Sequence, residues 1–216
     1  MTVPPSASHP QRVGLFGGAF DPPHHAHAAL ARAALDALAL ERLHIVPTGG
    51  AWHKTRPLSE GAHRLAMCRL AFGGDARIVI DPRELQRDGP SYTVDTLAEL
   101  RAQYPQAALF LLIGADQAAA FHTWRRAADI LSIATVSIAV RADSTSAGAV
   151  FDPENPLPGL PGVAARVHRL PLPPMPHSAT DVRRRVAAGL PIGHLVAPAV
   201  AGYIADHHLY QPPAQP

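Results

Sequence analysis

Along the chain, short runs that are apolar at nearly every position alternate with stretches whose apolar residues recur at helical spacing. The runs are residues 12–16, 43–47, 77–81, 109–113, 136–140 and 167–172. Strands apolar almost throughout are covered on both faces, and strands alternating with helices give a parallel sheet with crossover helices. The helical stretches are 26–39, 60–72, 94–103, 117–121, 125–131, 179–188 and 198–208. Ser59 and Thr93 suit N-caps, Gly189 the position just past a helix end, and Pro198 a first helical position. The pattern predicts an α/β fold, a Rossmann-like doubly wound parallel sheet of about six strands with C-terminal helices. One domain is expected over 12–210. The proline-rich ends, 1–11 and 211–216, read as disordered tails, and 141–165, rich in Pro, Gly and Ser, as a long mobile connection.

Composition narrows the class. A chain of 216 residues that is 47% hydrophobic can bury one sizeable core. A net charge of +2 is too small to point to nucleic acid, while a pI of 9.0 leans towards small anionic ligands. Cys68 is the only cysteine, which excludes an internal disulfide; it reads as a buried helical thiol in a reducing compartment. No apolar run approaches membrane-spanning length, and residues 1–11 lack the pattern of a signal peptide. The expectation is a soluble cytoplasmic protein with no membrane or nucleic-acid partner. Lys54 stands alone against eighteen arginines, in Trp52-His53-Lys54 beside a glycine pair. That reads either as chance survival in an arginine-biased chain or as a place where a compact ammonium is needed and a guanidinium will not fit.

The chemistry concentrates where the first strand meets the first helix. Gly17-Gly18-Ala19-Phe20-Asp21-Pro22-Pro23-His24-His25-Ala26-His27 is a glycine turn running into a helix start. Glycines admit close backbone approach, and a helix N-terminus offers unpaired N–H groups to anions. His24 and His27, three apart, share a helix face and can donate to one phosphate, adding positive charge when protonated. A zinc site is set aside, because no Cys, Glu or further His nearby completes a ligand pattern. A second anion site is predicted at Ser178-Ala179-Thr180-Asp181, a capping-box-like helix start, with Arg183 one turn in. Arg184 and Arg185 read as solvated surface charges.

The first segment resembles the G-G-T-F-D-P-x-H-x-G-H signature of the nucleotidyltransferases, with Ala19 for Thr and Ala26 for Gly. His177 to Arg183 resembles their I-S-S-T-x-x-R signature, with His177 in place of an apolar residue. Three more features are similar to the bacterial nicotinate mononucleotide adenylyltransferases. These are Trp52-His53-Lys54 after the second strand, the block Glu84 to Thr93, and Gly114-Ala115-Asp116 followed by Trp124.

The resemblance implies transfer of the adenylyl group of ATP, with Mg²⁺, to nicotinate mononucleotide in NAD biosynthesis, by a monomer or homodimer. It implies catalytic roles for His24, His27, Lys54 and Arg183. ATP would be held by Gly17, Gly18, Phe20, His24, His27, Gly114, Asp116, Ser178, Thr180 and Arg183. Nicotinate mononucleotide would be held by Ala19, His53, Lys54, Tyr92, Thr93, Trp124 and Arg141, with no metal bound directly by the protein. From the residues alone, Ser91 to Thr93 could equally be a helix cap and Trp124 a core residue. The rivals are an enzyme preferring nicotinamide mononucleotide, a phosphopantetheine adenylyltransferase, a metal-dependent hydrolase, and a non-catalytic nucleotide sensor.

Overall fold

The computed structural model describes residues 10–49, 57–141, 152, 155–160, 162–173, 175 and 177–212. Among them, six strands form one sheet: β1 (Arg12–Gly18), β2 (Arg42–Pro47), β3 (Ile78–Ile80), β4 (Ala108–Gly114), β5 (Thr135–Arg141) and β6 (Val167–Leu172). The order is β3-β2-β1-β4-β5-β6, and every neighbouring pair is parallel. The helices are α1 (His25–Ala37), α2 (Gly61–Phe72), α3 (Thr93–Gln103), α4 (Ala115–Ala119), α5 (Ala127–Ile133), α6 (Ala179–Ala187) and α7 (Pro198–Asp206).

Alternation along the central strands builds two cores. Val13, Leu15, Leu109, Leu111 and Ile113 pack with α3 and α5 on one face. Phe16, Phe110 and Leu112 pack with α1 and α2 on the other. Each such side chain contributes about 1.5–3 kcal/mol on burial, which is why these runs stay apolar on both faces. A third cluster, including Met67, Val182, Leu195 and Val200, docks α6 and α7 on α2. Cys68 is fully buried, and burial pushes its thiol pKa up to about 12, so it is packing material rather than a nucleophile.

The helix ends correct two expectations. Thr93 is the first residue of α3 and Tyr92 is its N-cap; α2 is capped by Glu60 rather than Ser59. Ser59 is used elsewhere, since its backbone N–H and C=O bond to Asp21 and Arg64. The other ends follow expectation: Ser178 caps α6, Pro198 opens α7, and Gly189 turns with φ +67°. Leu190 N–H to Arg185 C=O, with Gly189 N–H to Val186 C=O, closes α6 in a Schellman motif.

The chain steps outward from β1 through β2 to β3, then returns to β4 and steps outward the other way. Between β1 and β4 lies the switch point, where open α/β sheets bind ligands beyond the strand C-termini. Gly17 and Gly18 end β1 there, and Gly114 ends β4.

Candidate active site

The exit of β1 forms one wall of this crevice. A Cβ built on Gly17 meets nothing within 4 Å, so the backbone is open to a close neighbour. Phe20 turns the chain at φ +45°, a conformation costing a non-glycine residue about 1–2 kcal/mol. Its buried ring offsets that cost, lying edge-on to Phe16, Phe72 and His27 at centroid distances of 5.3, 5.6 and 5.1 Å. His24 is the N-cap of α1, and its ring stacks on His27 with centroids 3.8 Å apart. The His24 backbone N–H donates to His27 Nδ1 at 3.2 Å, which leaves the proton of neutral His27 on Nε2. Burial, and then the neighbouring His24, hold the His27 pKa well below its ordinary 6.5. His27 is thus a neutral hydrogen-bond donor at pH 7, and the positive charge of a protonated imidazole is not available from it in the ligand-free chain.

Under the turn sits a buried polar floor. The Asp21 carboxylate, 2% exposed, accepts from the Tyr210 hydroxyl at 2.7 Å and from Ser59 N–H at 3.3 Å. Burial and the Asp21 charge raise the Tyr210 phenol far above its usual pKa, so it remains a donor. Arg64, 3% exposed, donates to the carbonyls of Ala19 at 3.0 Å and Ser59 at 2.9 Å. Arg183 spans the two signature segments. Its Nη1 donates to the Asp21 carbonyl at 2.6 Å and its Nη2 to Thr180 Oγ1 at 3.0 Å. Ser178 Oγ accepts from Asp181 N–H at 3.1 Å; the Asp181 carboxylate goes to Arg184 instead of back to the cap. The His25 N–H also bonds the Leu195 carbonyl, and the rings of His25 and His177 meet edge-on at 6.0 Å. Two helix N-termini, each a positive dipole end, therefore converge beside the switch point, with the His24 and His25 N–H groups of α1 already bonded to His27 and Leu195. Such an arrangement suits a polyanion.

The β2 side is braced differently. Buried Glu84 accepts from Thr96 Oγ1 at 2.7 Å and from the backbone N–H of Gly49, while Ser91 Oγ donates to the Glu84 carbonyl at 3.3 Å. A Cβ on Gly49 would lie 2.0 Å from that carbonyl oxygen, so only glycine fits at the base of the loop. Tyr92 packs partly buried on the core, with the Arg125 guanidinium 4.7 Å over its ring. Trp124 is half-buried, 5.1 Å from Phe121, at the rim of the same core. Among the described residues, no group of three or more His, Cys, Asp or Glu is spaced to hold a metal ion.

A family profile described as cytidylyltransferase-like matches residues 15–185. A protein of Albidiferax ferrireducens, named probable nicotinate-nucleotide adenylyltransferase, is 54% identical over 201 residues, covering 93% of this chain and 98% of its own. The chain belongs to the nicotinate-nucleotide adenylyltransferase family. A Pseudomonas aeruginosa protein of the same name is 37% identical, over 94% of this chain and 99% of its own. Plasmodium falciparum nicotinic acid mononucleotide adenylyltransferase, solved in complex with NaAD, matches with a TM-score of 0.74 over 93% of this chain and 97% of its own. At 16% identity that likeness is one of fold.

Within this adenylyltransferase chain, the structure brings Gly17, Gly18, Ala19, Phe20, His24, His27, Thr180 and Arg183 into one region. Gly114 and exposed Asp116 stand at the adjacent end of β4, Tyr92 and Thr93 start α3, and Trp124 directly precedes the Arg125 that lies over Tyr92. His53 and Lys54 lie outside the described residues, and Arg141 is described only as the last residue of β5. The motif reading missed Ser59, Arg64 and Tyr210. Nothing local marks them, because their partner Asp21 or Ala19 is 38 to 189 residues away in sequence. It also missed His44, a buried brace bonding Asp81 at 2.7 Å and Tyr104 at 3.2 Å.

Proposed function

We propose that this protein transfers the adenylyl group of ATP to nicotinate mononucleotide, forming deamido-NAD and pyrophosphate in the cytoplasmic synthesis of NAD. The observation that carries this reading is the pairing of α1 and α6 through Arg183, with the stacked His24 and His27 at the mouth of α1. Family membership supports the choice of nucleotides.

The 5′-phosphate of the mononucleotide is already an anion at neutral pH, so attack on the α-phosphorus of ATP needs no general base. Catalysis then consists of in-line positioning and of neutralising charge on the transferring phosphoryl centre and leaving pyrophosphate. His24 and His27 donate to the α-phosphate, and the two helix N-termini with Ser178 and Thr180 hold the triphosphate. Arg183 keeps these two halves in register, and its guanidinium lies one turn from Ser178, within reach of phosphate oxygens. Lys54 and His53 supply charge from the loop that Gly49 and Glu84 anchor. Mg²⁺ would enter with the nucleotide substrate and would supply charge neutralisation on its phosphates. Asp116 takes the ribose hydroxyls; Tyr92, Thr93 and Trp124 take the pyridine ring, with Arg141 nearby.

Incubation with Mg-ATP and either nicotinate or nicotinamide mononucleotide tests the proposal. Pyrophosphate release dependent on the nicotinate compound is expected, and no release with either would refute it.

A further inference from the structure

Arg125 has a placement that neither the fold nor the phosphate chemistry uses. It follows Trp124 directly, and its guanidinium carbon lies over the Tyr92 ring, 4.7 Å from the centroid. Among the described residues it makes no ion pair or hydrogen bond. Its sequence neighbour Arg126 is committed, as are Arg83 and Arg87, which reach Glu99 of α3. Arg126 pairs with Asp129 at 2.6 Å, Arg87 with Glu99 at 2.6 Å, and Arg83 with Asp81 at 2.7 Å. Arg126 sits at φ +54° as the N-cap of α5 and pairs within that helix, whereas Arg125 lies over Tyr92, the N-cap of α3.

A guanidinium stacked on an aromatic face keeps its edge N–H groups available, and that edge matches the fork of a carboxylate. The surroundings are Tyr92, the N-terminus of α3 at Thr93 and half-buried Trp124. Two aromatic rings, a positive helix end and an uncommitted planar cation suit a flat ring bearing a negative substituent.

We propose that Arg125 is a specificity residue that favours a carboxylate over an amide on the acceptor's pyridine ring. This rests on the adenylyl-transfer reading given above and assigns a residue to its choice of acceptor. The cation attracts the acid and gains nothing comparable from the neutral amide. Because Arg125 is exposed, the preference weakens as ionic strength rises.

Steady-state kinetics with both mononucleotides test it in wild type, Arg125→Gln and Arg125→Lys. Arg125→Gln is expected to lower kcat/KM for the acid about tenfold more than for the amide, through KM for the acid, with KM for ATP unmoved. Arg125→Lys, which keeps charge but not the planar fork, should fall between. Equal losses on both mononucleotides would show that Arg125 only supports Tyr92 and would overturn the proposal, as would an unchanged ratio. A wild-type protein inactive with both overturns the adenylyl-transfer reading itself, a result distinct from either of these.

Discussion

Replacing Tyr210 with Phe removes one oxygen from the floor of the site and leaves the ring in place. That oxygen donates to the Asp21 carboxylate at 2.7 Å, and Asp21 is 2% exposed. A hydrogen bond to a buried charged group contributes about 1.5–3 kcal/mol, and Tyr→Phe adds no cavity penalty because the ring volume stays. For a chain of this size each kcal/mol moves the melting temperature by roughly 2–4 °C, so Tyr210→Phe should lower Tm by about 3–12 °C. Function should follow. The Asp21 carbonyl is the anchor for Arg183, so a loosened Asp21 also loosens the tie between α1 and α6. KM for ATP should rise more than KM for the mononucleotide. Differential scanning calorimetry and initial-rate kinetics on the same preparation measure both effects. A Tm within about 1 °C of wild type, well below the shift expected for such a bond, would refute the idea that Tyr210 secures the floor.

Three further outcomes are expected. His27→Ala should lower kcat by roughly 10²–10³-fold while circular dichroism and Tm show a folded protein; near-normal turnover would remove His27 from the chemistry. Because the His27 pKa is depressed in the fold, the unfolded chain binds its proton first as pH falls, so stability present above 6.5 is lost progressively below it. Tm should therefore drop between about pH 7.5 and 5.5, and drop less in His27→Gln; parallel profiles for the two proteins would contradict a depressed His27 pKa. Gly49→Ala forces a Cβ to within 2.0 Å of the Glu84 carbonyl oxygen unless backbone moves. It should destabilise the protein by about 2 kcal/mol or more in urea titrations and weaken the mononucleotide more than ATP; a neutral effect on both would show that the loop base is not held by Glu84.

Much of the fold was legible because the strands are buried on both faces and so read as continuous apolar runs, with glycine and proline punctuating their ends. The two helix starts were legible for the same local reason: Ser178, Thr180, His24 and His27 make their bonds within one helical turn of where they stand. What could not be read is everything made by long-range partners. Ser59 has the residue type of a helix cap, yet tertiary bonds to Asp21 and Arg64 claim its backbone, and the cap falls to Glu60. Tyr210 lies near the end of the chain in a sequence with no motif, and becomes part of the floor only when α7 docks on α2. The protonation of His27 was equally hidden, since it depends on burial against Phe20 and stacking on His24. Arg125 and Arg126 are indistinguishable as letters, yet they go to different partners.

The central claim is a direct displacement at the α-phosphorus, held between two helix N-termini with neutral His27 donating and no covalent enzyme intermediate. The most direct test uses ATP made chiral at the α-phosphorus by isotopic or sulfur substitution, with the configuration of the dinucleotide product read by phosphorus NMR. A single in-line attack by the mononucleotide phosphate predicts inversion. Retention would mean two successive displacements through an enzyme-bound adenylyl group, and would contradict this account of the site.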